Sequence, residues 1–163
     1  MNLEKLFMMQ KSLDQYIEEE HGLEKADLFD QKVLALLVEI GELANETRCF
    51  KFWSKKAPSE RSVILEEFVD GVHFILSLGI VKSFEAEAEI SGDHSAEPSI
   101  TDQFLRVFKC VEQFKREQNI DSFNQLLTDY FALGVRLGFS VEEVEAAYVA
   151  KNEVNYERQQ QGY

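Results

Sequence analysis

Two groups of carboxylates stand in stretches that otherwise read as core. The run Leu36-Leu37-Val38-Glu39-Ile40-Gly41-Glu42-Leu43-Ala44-Asn45-Glu46 sets Glu39, Glu42 and Glu46 at i, i+3 and i+7. That spacing puts all three on one helix face. A second run, Val63-Ile64-Leu65-Glu66-Glu67-Phe68-Val69-Asp70-Gly71-Val72-His73-Phe74-Ile75-Leu76, holds Glu67 and Asp70 at i and i+3, with Glu66, Asp70 and His73 on a stripe. A carboxylate in an apolar helix is costly unless paired, and facing carboxylates raise one another's pKa. No Lys or Arg lies between Val33 and Leu43, or between Val63 and Val81. A divalent cation is the simplest compensation. Oxygen-only ligands select Mg²⁺, or Mn²⁺, over zinc. A single acidic pair is more often the solvated face of an amphipathic helix. Two such pairs on consecutive, unusually apolar helices favour a metal site between them. Gly41 and Gly71, beside the pairs, are expected to permit close helix approach.

A complementary stripe stands near the C-terminus. Lys151, Asn155 and Arg158 fall at i, i+4 and i+7, again one face. Two cations and an amide suit a phosphate and sugar grip. The alternative is an ordinary cationic helix end complementing the macrodipole.

The elements that must carry these residues are helices. With 2 Pro and 8 Gly in 163 residues, few positions punctuate the chain. The apolar period of 3.6 predicts helices over about 3–19, 27–50, 60–84, 101–117, 121–138 and 141–160. Ser59 is the expected N-cap of the third and Thr101 of the fourth, while Asp121 or Ser122 opens the fifth. Ser140 with Glu143 has capping-box spacing and opens the sixth. The acidic segment 85–98 is expected to be a mobile loop. The fold class expected is all-α: one domain over 1–163, a bundle of about six helices with the metal site between central antiparallel helices.

Charge narrows the partners. There are 17 Lys plus Arg against 30 Asp plus Glu, a net charge of −13. That balance disfavours nucleic acid and anionic membrane surfaces. It permits a phosphorylated small molecule escorted by a cation. Cys49 and Cys110 cannot build a disulfide framework or a zinc site alone. The start, Met1-Asn2-Leu3-Glu4-Lys5, lacks a signal-peptide profile, so a cytoplasmic location is expected. His21 and His94 have no evident partner.

Together, Glu39-x-x-Glu42, Glu67-x-x-Asp70 and the tail Lys151-Asn-x-x-Asn155-x-x-Arg158-Gln-x-x-Gly162-Tyr163 resemble the dimeric all-α dUTP diphosphatases, within the MazG-like all-α nucleotide pyrophosphohydrolases. The run Val69 to Leu78 is also similar to that family's third helix. The resemblance implies hydrolysis of dUTP to dUMP and pyrophosphate, with dUDP also accepted, limiting uracil misincorporation and supplying dUMP. It implies Mg²⁺ held by Glu39, Glu42, Glu67 and Asp70, with Glu39 orienting or deprotonating the attacking water. Lys151 and Arg158 would bind phosphate oxygens, Asn155 the deoxyribose or phosphates, and Tyr163 would close over the nucleotide. Gln10 and Asp14 match an amide-bearing uracil-reading motif, with Asp14 where some members have Asn. Trp53 resembles an aromatic residue near the base, and His73 contacts the base or supports the site. A homodimer is implied. The rival readings are a MazG-like enzyme of other base preference and a non-catalytic helical interaction protein.

Overall fold

A computed structural model describes residues 1–91 and 99–162. Among them are six helices and no strand: α1 Leu3–Glu20, α2 Phe29–Thr47, α3 Arg61–Val81, α4 Ile100–Glu117, α5 Ile120–Arg136 and α6 Val141–Gln160. The all-α expectation holds. Residues 92–98 of the segment read as a loop, His94 and Tyr163 lie outside the described residues.

Helix ends differ from expectation where a tertiary contact competes with a local one. The Ser59 hydroxyl does not cap α3. It donates to the Glu46 carboxylate, and Ser59 N donates to Glu46 O at 3.0 Å. Glu60 is the N-cap, with no side-chain cap bond. Ser99, not Thr101, caps α4 by accepting from Asp102 N at 3.1 Å, while Thr101 donates to the Cys49 carbonyl. Asn119, not Asp121 or Ser122, caps α5 by accepting from Ser122 N at 2.9 Å. Asn2 caps α1 in the same way, accepting from Lys5 N. The capping box on α6 forms as expected, Ser140 and Glu143 exchanging bonds of 3.2 and 2.8 Å. α2 stops at Thr47 because Arg48 turns left-handed at φ 57°.

α2 and α3 form the central antiparallel pair: Glu46 meets Ser59 at one end, and Asp14 bonds both Lys32 and Ser77 toward the other. α3 packs against α1, α2, α5 and α6. Phe68, Val69, Val72, Ile75 and Leu76 are therefore all buried, which explains why α3 is apolar on most sides. α2 contributes Leu36, Ile40 and Leu43 to the same core. α4 and α5 make a hairpin that closes it with Phe114, Phe123 and Tyr130. No helix among the described residues is long and apolar enough to cross a membrane. Cys49 and Cys110 are free thiols.

The two glycines have different roles. Tyr130 donates to the Phe68 carbonyl at 2.9 Å and stacks on the Phe68 ring at 4.8 Å. That fixes its hydroxyl where a Cβ on Gly71 would sit. Gly71 does permit close approach, of α5 on α3. Gly41 does not: a Cβ there meets nothing within 4 Å. The Gly71→Ala variant is expected to lose about 1–3 kcal/mol to overpacking, while Gly41→Ala stays neutral or gains up to about 1 kcal/mol of helix propensity. Denaturant melts of the two variants check this contrast.

Candidate active site

A cleft of about 350 Å³ opens between α1, α2, α3 and α6. Its lining includes Gln10, Asp14, Glu39, Asp70, His73, Lys151, Asn155 and Arg158, so eight residues singled out from sequence converge on one space.

At one end Glu39, Glu67 and Asp70 each offer a carboxylate oxygen, all within 4.8 Å of one another. α2 supplies the first and α3 the other two, one turn apart. Burial, and then the neighbouring charges of Asp70, Glu42 and Glu67, push Glu39 up to about 7. Burial and then Asp70 raise Glu67, and burial raises Asp70. Hard oxygen donors at this spacing, with protonation favoured in the absence of a counter-ion, fit a divalent cation such as Mg²⁺. Glu42 is exposed and falls outside the triad, although its charge still reaches Glu39 and Glu67.

The neutralising base beside the triad comes from α6. Lys151 Nζ lies 2.8 Å from Asp70 and 2.7 Å from Glu66. Burial opposes its charge, yet the bonds to Asp70 and Glu66 outweigh that and raise its pKa. Glu66 is lowered by the same bond. Lys151 is thus in contact with the carboxylates rather than across the cleft from them. Asn155 and Arg158 continue its stripe along the cleft wall.

The other end holds polar groups that sequence reasoning missed. Lys32 Nζ lies 3.2 Å from Asp14 and 3.1 Å from Glu18. Ser77 donates to Asp14 at 2.5 Å. A signal existed: Lys32 is seven residues from Glu39 on α2, and Ser77 seven from Asp70 on α3, the same face about 10 Å along. Gln10 donates to Asp14 at 2.7 Å and accepts from Tyr148 at 2.7 Å. His73 lies 2.7 Å from the same Gln10 oxygen and stacks on Tyr148 at 4.1 Å. Burial, then Lys151, pushes His73 down to about 3, so its ring is neutral. Leu13, Ile17 and Phe74 give this end apolar walls.

Trp53 is not brought to the cleft of its own chain. It is 65 % exposed on the connection after α2, edge-on to Phe50 and Phe52. His21 does have a partner, Gln159, 3.0 Å from its Nε2.

The sequence model of a family described as dUTPase matches residues 2–163. No curated protein matches the chain.

The raised pKa of Glu39 has a stability consequence. An unfolded Glu loses its proton near 4.5, while the folded one keeps it to about 7. Between those values the native state binds more protons than the unfolded one, so this group's contribution falls as pH rises and levels above 7. Without divalent cation, Glu39→Gln is expected to match the native melting temperature near pH 5 and exceed it increasingly up to pH 8. Thermal melts across this range that show a constant difference would contradict the assignment.

Proposed function

The chain belongs to the dUTPase family, whose activity is hydrolysis of dUTP, and on that premise we propose a Mg²⁺-dependent reaction giving dUMP and pyrophosphate, with dUDP as a second substrate. The supporting observation is the oxygen triad of Glu39, Glu67 and Asp70, of which Glu39 and Asp70 line one cleft with Lys151, Asn155 and Arg158.

Glu39, Glu67 and Asp70 would hold the cation, and Glu42, one turn along α2, joins them when substrate is bound. The chemistry that Mg²⁺ supplies there is neutralisation of phosphate oxygens and a lowered pKa for coordinated water; Mn²⁺ would serve similarly. Glu39 orients the attacking water or takes its proton. Lys151 and Arg158 bind phosphate oxygens and spread the developing charge. Asn155 holds the sugar or phosphates. Gln10, Asp14 and His73 form the polar wall at the base end, and Tyr163 closes over the nucleotide. No serine or cysteine nucleophile is needed, and Cys110 is unsuited to that role: burial and Asp129 push its thiol up to about 12.

The active unit is a homodimer. Leu34, Val38 and Leu105 are exposed apolar residues on the packed pair α2 and α4, and Phe52 and Trp53, on the connection after α2, are exposed as well. Trp53 lies outside its own chain's cleft, so its contact with the base is assigned to the second copy. Two free thiols fit a reducing cytoplasm, and the charge of −13 argues against nucleic-acid or membrane partners.

A panel of dUTP, dUDP, dCTP, dTTP and dATP with and without Mg²⁺ tests the reading. Turnover should be confined to dUTP and dUDP and vanish on chelation. Asp70→Asn should lower kcat about 10²-fold or more, and Arg158→Ala should mainly raise KM. Equal rates on all five nucleotides would instead mark a pyrophosphohydrolase of broad preference.

A further inference from the structure

The base end of the cleft carries a chain of hydrogen bonds whose direction is forced. Asp14, ion-paired with Lys32, offers only acceptors. Its Oδ2 takes the Ser77 hydroxyl and the Lys32 ammonium, and its Oδ1 faces Gln10 at 2.7 Å. The end of Gln10 toward Asp14 is therefore the NH₂, and the carbonyl faces the other way. That carbonyl accepts from Tyr148 and lies 2.7 Å from His73 Nδ1. A carbonyl cannot donate, so Nδ1 carries the hydrogen. A neutral imidazole has one N–H, which leaves Nε2 a bare lone pair. His73 Nε2 has no partner among the described residues, and the residue is 5 % exposed and lines the cleft. An unpaired buried acceptor costs free energy unless something fills it.

We propose that Asp14 is a positioning residue that fixes His73 as the Nδ1–H tautomer, so that His73 Nε2 accepts a hydrogen bond from the nucleoside of the bound nucleotide. Asp14 acts through Gln10, its Oδ1 taking the Gln10 amide while its Oδ2 takes Ser77 and Lys32. Lys32 and Ser77 pin the head of the relay, and Gln10 transmits its polarity. The identity of the nucleoside rests on the dUTP reading; the tautomer does not. A uracil deoxynucleoside has two groups able to donate, the imide N3–H and the 3′-hydroxyl. An exocyclic carbonyl cannot satisfy Nε2.

The isosteric Asp14→Asn variant inverts the relay. Lys32 and Ser77 hold the new amide's oxygen where Oδ2 stood, which turns its NH₂ toward Gln10. Gln10 must then rotate and give its own NH₂ to His73 Nδ1 and to Tyr148, whose hydroxyl donates instead to the Leu6 carbonyl, 3.4 Å away. His73 Nε2 becomes a donor facing a donor.

The experiment reads imidazole ¹⁵N shifts in the full chain, which has 3 His. The native protein should show a protonated Nδ1 and a bare Nε2 on His73, and Asp14→Asn the reverse. The same variant should raise KM for dUTP about tenfold or more, with kcat changed less. On the native enzyme either N3-methyl-dUTP or 3′-deoxy-dUTP should lose about tenfold in kcat/KM, and that analogue identifies the donor; the loss should disappear in Asp14→Asn. A native His73 protonated at Nε2, an Asp14→Asn variant with unchanged tautomer and KM, or two analogues turned over as well as dUTP would each overturn the proposal. The native tautomer and the analogue rates stand even if the variant does not fold. A protein that keeps the Nδ1–H tautomer but does not hydrolyse dUTP would remove the nucleotide reading and leave the relay.

Discussion

Three carboxylates crowded between two apolar helices are the constraint on which the rest of this structure depends. Glu39, Glu67 and Asp70 cannot all be charged at that spacing without a counter-ion. Lys151 reaches them from α6 and is shared with Glu66, and the charge of Arg158 also acts on Asp70. The balance therefore stays negative at the triad. The placement of α6 against α3 follows from this need as much as from apolar packing, because α6 has few buried apolar residues of its own: Val144 and Tyr148. Lys151 to Asp70, and the exposed pair Arg61 to Glu143, add polar contacts between α6 and α3.

The cleft is polarised along its length. Its acid end gathers Glu39 and Asp70 beside Lys151. Its other end is a closed hydrogen-bond system in which Asp14, Lys32, Ser77, Gln10 and Tyr148 satisfy one another. Buried networks of this kind hold side chains in one orientation when every member is satisfied. The rigid core beneath, with Tyr130 seated against Gly71 and Phe68 against Gly134, leaves α3 little freedom to shift. The site is thus carried in part by a helix that is buried against four others.

Much of this was legible in the sequence, and the failures have physical causes. Period 3.6 located all six helices, and i, i+3 and i, i+7 spacing placed the triad and the α6 stripe on their faces. Those are local properties of a helix. The caps were harder, because Ser99 and Thr101, or Asn119 and Ser122, are all chemically able to cap. Which one does depends on where the preceding chain arrives. Ser59 was lost to Glu46, a contact across two helices that no local pattern records. Glu42 shares the face of Glu39 yet points to solvent, since spacing fixes an angle about one helix and not the distance to the next. Lys32 and Ser77 escaped notice because each looks ordinary alone and acquires meaning only through Asp14 on a third helix. Trp53 sits on an irregular connection, where sequence periodicity says nothing about position.

The net charge of −13 separates into a solvated surface and a cluster of three acids that are half-buried and unevenly neutralised. The central claim is that this cluster holds a divalent cation. Electron paramagnetic resonance of Mn²⁺ titrated into the native protein and into Asp70→Asn, each with dUMP, whose single phosphate binds the free ion only weakly, tests it most directly. The account predicts that the free-ion signal is lost at stoichiometric protein in the native chain and persists in the variant. A free-ion signal undiminished by the native protein, or lost equally in both, would contradict it.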